Sequence, residues 1–282
     1  PVVATKRQEW NVQAAKANVR LFDVETQQDL WTREFPSNAK AAFCSDGRLG
    51  VLDPEGRFQL LDLARGESLI EAAVDALPRL AAIFVLRRQD RYVLAATENL
   101  QPAPRQQNGW VVRPLQNPSN YDAPSIQGFL HGFDSHGRLA WSQPAHDVSL
   151  PLHQPEGSPV LCCMSYLYGN RQLVAGRRVG VVQQSCMVFI DHRSGRVVRR
   201  QLLSGVPSYY ELSAQAAAKT VTLACNIGTV RLEFSDDAWP ANEKPLPLEP
   251  ELAELPQPQP PNEPQPVPGG QPVPLPNGIA QP

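Results

Sequence analysis

The sequence lacks most of the features that name a biochemical job directly. No apolar run approaches the roughly 18 residues a membrane-spanning helix needs, and there is no Cys-x-x-Cys pair and no Gly-x-Ser-x-Gly elbow. An excess of charge of one sign is missing as well. Lys and Arg number 26 against 28 Asp and Glu, for a net charge of -2 and a pI near 6.3. Binders of DNA or RNA carry a basic face, so nucleic acid is not an expected partner. The five cysteines (Cys44, Cys162, Cys163, Cys186, Cys225) are an odd number without clustered histidines, which excludes a small disulfide framework and a zinc site. Four of them lie in or beside apolar runs and read as reduced, buried small hydrophobes. The chain opens at Pro1 with neither an initiator Met nor a charged-then-apolar signal segment, so a fragment or processed form is expected.

Proline is abundant, but only locally. Of 29 prolines, 15 fall in 240–282, where few aromatics are present to offset the entropy of ordering the chain. That stretch is expected to be a disordered Pro-rich tail of polyproline II character, leaving residues 1–239 as the folded part. Its Pro-x-x-Pro matches read as a spacer.

Within 1–239 a unit recurs. Phe189-Ile190-Asp191 to Arg200 reads as strand, Asp-initiated turn, strand, and the layout repeats from Leu21-Phe22-Asp23, from Leu60-Leu61-Asp62 and from Gly132-Phe133-Asp134. Asp side chains bond nearby backbone N–H groups and Gly accepts positive φ, so Asp23, Asp62, Gly66, Asp134, Gly137, Asp191 and Gly195 are assigned as structural turn residues. Gln27 stands where other copies have Gly. Residues 40–72 give four short strands with tight turns, the size of one propeller blade. Leu80–Leu86, Tyr92–Ala95, Phe129–Phe133 and Leu139–Trp141 give a second set, interrupted by a Gln-, Asn- and Pro-rich insertion at 97–126. A third is read from Val160-Leu161 through Leu173–Val182 and Met187–Ile190 to Val197-Val198, after a loop from Gln143 to Ser158. Three further strands lie between Tyr209 and Phe234. The turn aspartates are 39, 72 and 57 residues apart along the chain, close to a 40-residue blade once the insertion is removed. The expected fold class is all-β: a β-propeller of four-stranded antiparallel blades, sharing its ring with blades upstream.

The pattern of two apolar residues, Asp, a Gly turn and a closing Trp, as in Phe133-Asp134 to Trp141, resembles the β-propeller repeat named after pyrroloquinoline-quinone enzymes, over about residues 19–240. The resemblance implies the C-terminal part of a larger bacterial repeat protein of the periplasm or cell envelope. It also implies, as an alternative, a fragment of a quinone-dependent dehydrogenase, in which adjacent cysteines such as Cys162-Cys163 ring-close against the cofactor and carboxylates hold calcium. Here the pair sits in an apolar strand, where consecutive residues point to opposite faces, so a core role is expected.

No catalytic residue, metal site or cofactor is assigned. Asp134-Ser135-His136 holds triad residue types at consecutive turn positions, and a working triad draws them from distant elements. His146, Asp147 and His153 form a weak ligand set in one loop. Candidate contacts for a partner protein are Trp110 with Arg105, Arg113 and Tyr121 in the insertion, since Trp, Tyr and Arg dominate interface hot spots. His192, read as solvent-facing, and Arg199 and Arg200 complete the set. Arg199 is peculiar because two other copies carry Trp there, as Trp31 and Trp141. The expected function is a non-catalytic interaction or scaffold module that binds protein through blade faces and the insertion. A purely structural repeat domain is the second alternative.

Overall fold

The computed structural model describes residues 16–98, 105–107, 110–113, 123–155, 157–169, 172–174, 177–179, 183–205, 207, 210–235, 246 and 248. Every regular element among them is a β-strand. The first sheet is the hairpin β1 (Lys16–Asp23) and β2 (Gln28–Pro36). The second runs in order β3 (Lys40–Phe43), β4 (Arg48–Leu52), β5 (Arg57–Asp62) and β6 (Ser68–Ala73). The third comprises β7 (Leu80–Arg88), β8 (Arg91–Glu98), β11 (Ser125–Phe133) and β12 (Leu139–Ser149); the single pair Ser149–Met164 links it to the fourth in one nine-stranded ladder that also takes in β9 (Arg105–Gln107) and β10 (Trp110–Arg113). The fourth contains β13 (Val160–Gly169), β16 (Gln183–Asp191) and β17 (Val197–Ser204), and β14 (Gln172–Val174) with β15 (Arg177–Val179) forms a separate hairpin. The fifth is β18 (Tyr210–Gln215), β19 (Thr220–Cys225) and β20 (Gly228–Glu233). All pairings are antiparallel.

Strand alternation decides how the sheets stack. Along β5, Leu60 joins a core shared with Val85, Leu94 and Phe133 of the third sheet, while its neighbour Leu61 faces Val19 and Phe35 of the first. Along β13, Leu161 and Cys163 face the third sheet, whereas Cys162 and Met164 face Val221 and Leu223 of the fifth. Each inner sheet is thus buried on both faces, and four apolar layers join the five sheets in chain order. Phe58 and Phe133 stack across one layer with ring centroids 5.1 Å apart. The edge strands β3 and β7 of neighbouring sheets lie side by side, so the sheets fan from that edge as blades of a β-propeller.

Four hairpins share one irregularity. The register shifts by one residue between Leu21 and Phe22, Leu60 and Leu61, Gly132 and Phe133, and Phe189 and Ile190, immediately before each turn aspartate. Such a bulge increases the local twist and re-aims the next side chain. It pairs Leu21 with Trp31, Leu60 with Ile70, Gly132 with Trp141 and Phe189 with Arg199. Within each turn the Asp carboxylate accepts the N–H two residues on, at 2.9 Å for Glu25, Ala64 and His136 and 3.1 Å for Arg193. Gly66 and Gly195 close their turns at φ of 68° and 72°, and Gln27 takes the same left-handed conformation at 57°.

The tryptophans then tie sheet to sheet. Trp31 Nε1 donates to the Leu63 carbonyl of the second sheet's turn at 2.9 Å, and Trp141 Nε1 donates to the His192 carbonyl of the fourth sheet's turn at 3.0 Å. A Cβ on Gly66 would stand 2.6 Å from the Trp31 ring, and one on Gly195 2.6 Å from the Trp141 ring. The turn glycine is therefore required both by its backbone and by the indole against it.

The fourth sheet departs from the expected unit. Of the stretch expected as a strand at Leu173–Val182, the described parts pair with each other as β14 and β15, and β16 pairs directly with β13. The free edge of β13 is covered by three short pieces instead. The Gln154 side-chain amide accepts from the Cys162 N–H and donates to the Cys162 carbonyl, both at 2.9 Å; Ser149 pairs with Met164; and β10 pairs with Tyr166 to Gly169. An unpaired buried backbone group costs free energy, and these pieces satisfy that edge in place of one strand. The expected loop from Gln143 likewise begins later, since β12 runs to Ser149 and carries His146. Beyond the expected boundary at 240, Leu246 bridges to Val197, and Leu248 is buried in the core between the third and fourth sheets. Residues 251–282 of the expected tail lie outside the described residues.

Two glycines test the interlock. Gly47 has φ of 78° with nothing near its missing Cβ, so Gly47→Ala is expected to cost about 1–2 kcal/mol from backbone conformation alone. Gly195→Ala adds a clash with Trp141 and is expected to cost roughly 1–3 kcal/mol more. Trp141→Ala, which empties a buried site, should cost about 3–5 kcal/mol. Urea denaturation of the three variants checks the order; equal effects of the two glycine changes would contradict it.

Candidate functional site

The turns emerge together on one rim, and between the second and third sheets this rim holds a cleft of about 340 Å³. One wall is Leu69 and Ile70 of β6. The opposite wall is the turn Asp134 to Gly137, and the β7–β8 hairpin contributes Arg87, Asp90 and Tyr92, with Arg48 reaching in from β4. Asp46, in the turn before β4, organises the polar end. Its Oδ2 accepts from the Tyr92 hydroxyl at 2.8 Å and from Arg48 at 2.9 Å, and Arg87 approaches it at 3.7 Å. The Arg48 guanidinium lies over the Tyr92 ring, 5.3 Å from its centroid. Asp134 is committed to its own turn. It accepts the Arg138 N–H and pairs with the Arg138 guanidinium, and these bonds hold its carboxyl down to about 2. With Asp134 tied up in this way, Asp134, Ser135 and His136 act as a turn, and the cleft is suited to binding.

His192 is not on the surface, contrary to expectation. It is 2% exposed, because docking of the Asp191–Gly195 turn on Trp141 carries it inward. Its N–H donates to the Pro159 carbonyl at 3.2 Å, while neither imidazole nitrogen has a hydrogen-bond partner. It is therefore removed from the set of partner contacts. Arg199 is exposed on β17 and reaches Gln201 at 3.5 Å, and Arg200 beside it is half-buried. Arg199 holds the register position of Trp31 and Trp141 but is exposed.

The insertion at 97–126, read from its composition as a loop, contains regular structure. Thr97 and Glu98 belong to β8 and Ser125 and Ile126 to β11, and inside it β9 pairs with β10, which pairs with β13. Trp110-Val111-Val112 is aromatic and β-branched, and the outer part of β13 offers it an open edge. Arg105 sits on β9 and Trp110 and Arg113 on β10; Tyr121 lies outside the described residues. The structure does not bring the insertion residues together with Arg199 and Arg200 into a described site.

Arg88 gains its importance only from the fold. It is 5% exposed and donates to the carbonyls of Gln154 at 3.3 Å, Pro155 at 2.8 Å and Ser158 at 3.0 Å, pinning the connection after β12 to the third sheet. An Arg beside a hairpin turn carries no sequence signal for burial. Cys162 and Cys163 face opposite cores as free thiols, and burial pushes Cys162 up to about 12 and Cys163 further up. Neither is an available nucleophile.

No family model matches this sequence, and no curated protein is significantly similar to it. Among solved structures, it resembles the Dos1 propeller at 13% identity, covering 74% of this chain and 48% of that one with a TM-score of 0.37. It also resembles the WD40 domain of SCAP from fission yeast (12% identity, 88% and 53% covered, TM-score 0.32) and the Cps50 (Swd1) β-propeller domain of Myceliophteria thermophila (10%, 82% and 97%, 0.27). The class is set by the chain's own stacked antiparallel sheets: this is a protein of β-propeller fold. No helix among the described residues is long and apolar enough to cross a membrane.

The two buried histidines set a pH dependence. Burial lowers His192 to about 4, with the Arg88 guanidinium adding to the effect. Burial also lowers His131 to about 4, against the opposing pull of the Asp75 carboxylate. Both folded values lie below the ordinary 6.5, so the unfolded chain takes up protons first as pH falls. The stability they contribute is complete above about pH 6.5 and is lost towards pH 4. The urea midpoint is expected to fall between about pH 6.5 and 5, with His131→Leu and His192→Leu each removing up to about one linked proton. A wild-type midpoint flat across that window would contradict this.

Proposed function

We propose that the protein is a non-catalytic β-propeller interaction module that takes a protein partner on the inserted β9–β10 hairpin. The observation that carries this reading is the place of the insertion. It leaves the third sheet between β8 and β11, which pair directly with each other from Tyr92–Phe133 to Thr97–Gly128. The sheet is complete without it. Beyond placing β10 on the outer edge of β13, the insertion adds a short strand, β9, with one edge paired to β10 and the other unpaired among the described residues. A free strand edge beside Trp and Arg residues suits addition of a partner's strand.

The finer reading is a scaffold within a larger bacterial envelope protein, located in the periplasm or cell envelope, and it rests on the likeness of the repeats to those of quinone-enzyme propellers. The dehydrogenase alternative is disfavoured by Cys162 and Cys163, whose thiols face opposite cores. That arrangement cannot present a disulfide ring to a cofactor without breaking β13.

Replacing residues 99–122 with a short Gly-Ser linker tests the reading, because Ala123 and Pro124 are held by Ser149 and Leu150 and stay in place. The variant is expected to melt cooperatively, lowered by a few degrees because the outer edge of β13 loses β10, and to lose a partner that the parent retains in parallel affinity capture. An identical set of proteins captured by both chains would overturn the assignment.

A further inference from the structure

Three successive sheet junctions follow one rule, and the middle one is unfinished. At the first, Trp31 covers Gly66 and its N–H reaches the carbonyl of Leu63, the residue after the turn aspartate. At the third, Trp141 covers Gly195 and reaches the carbonyl of His192, again the residue after the aspartate. At the second, the register-equivalent residue is Ile70, which covers Gly137 through its side chain and the adjoining β6 backbone but has no side-chain N–H to offer the turn. The turn there is also one residue shorter, with Gly137 three positions after Asp134 where Gly66 and Gly195 come four after theirs. This junction holds the cleft of about 340 Å³, with Ser135, the residue after the aspartate, in its wall.

We propose that this notch is a docking site for a tryptophan side chain of a partner peptide, supplying from outside the indole N–H that the chain supplies itself at the junctions on either side. The apolar body of the indole lies on Leu69, 41% exposed, at the outer edge of the contact between Ile70 and Gly137. Its N–H donates to the Ser135 carbonyl, as Trp31 and Trp141 do to theirs. Charge selects the neighbouring residue of the peptide. Asp134 is matched by Arg138 and Asp90 by Arg91, whereas Arg48 and Arg87 share the single carboxylate of Asp46. The cleft therefore carries an uncompensated positive charge, and Arg87 is 47% exposed at its mouth, placed to meet an Asp or Glu beside the Trp. This site is separate from the inserted hairpin and stands or falls independently of it.

The test uses the full chain with acetyl-Glu-Trp-amide carrying 5-fluoroindole, followed by fluorine NMR. Saturable binding with a dissociation constant of about 1 mM or tighter is expected for the wild type. Ile70→Trp, which supplies the missing indole, and Leu69→Asp, at an exposed position, are each expected to weaken it about tenfold or more. If Ile70→Trp does not melt cooperatively, Leu69→Asp alone decides. Arg87→Glu should weaken the Glu-Trp probe while leaving the Gln-Trp analogue nearly unchanged. The proposal is overturned if the wild type shows no saturable shift up to about 10 mM, or if Leu69→Asp binds as the wild type does. Equal effects of Arg87→Glu on both probes would overturn the choice of an acidic neighbour.

Discussion

Stacked sheets have no covalent reason to hold a fixed angle, and here an indole set against a turn glycine supplies one. A buried Trp brings a large apolar face and an N–H that must find an acceptor. Trp31 and Trp141 find it in the turn of the next sheet, which fixes the position of that turn as well as its distance. The interlock depends on the bulge before each turn aspartate, because that single extra residue turns the following side chain across the gap. Gly132 opposite Trp141 belongs to the same device: a Cβ there would stand 2.1 Å from the ring.

The fourth sheet shows how backbone satisfaction outranks regular pattern. Its β13 edge is met by a glutamine side chain, one residue of β12 and a strand from a distant insertion. Arg88 holds the connection that carries Gln154 by donating to three of its backbone carbonyls, so a buried guanidinium anchors the segment that completes the edge. Buried charge of this kind is retained when hydrogen bonds replace its hydration.

The places suited to binding are those where the repeat deviates from itself. Ile70 in place of Trp and a shortened turn leave a notch; an insertion between two strands that already pair presents a hairpin whose outer strand has one edge unpaired among the described residues; Arg199 stands exposed in the register position that Trp31 and Trp141 hold elsewhere. A perfectly regular set of sheets would use all these positions for packing. Variation within a repeat is thus the clearest functional signal this molecule offers.

Much of the scaffold is legible in the residues. Local turn chemistry is short-range, so Asp23, Asp62, Asp134 and Asp191 mark hairpins whose hydrogen bonds lie within a few positions, and period-2 alternation marks strands buried on both faces. The burial of His192 is not legible, because it depends on Trp141, a residue 51 positions earlier. The strands inside the insertion, the side-chain edge made by Gln154 and the direct pairing of β16 with β13 are equally hidden, since each depends on which distant edge is left open. The sequence by itself determined the all-β class, the hairpins and the turn residues, because those follow from nearest-neighbour sterics and hydrogen bonding. Only the tertiary structure decided which tryptophan meets which glycine and where a notch is left, because those are contacts between sheets and no local propensity encodes them.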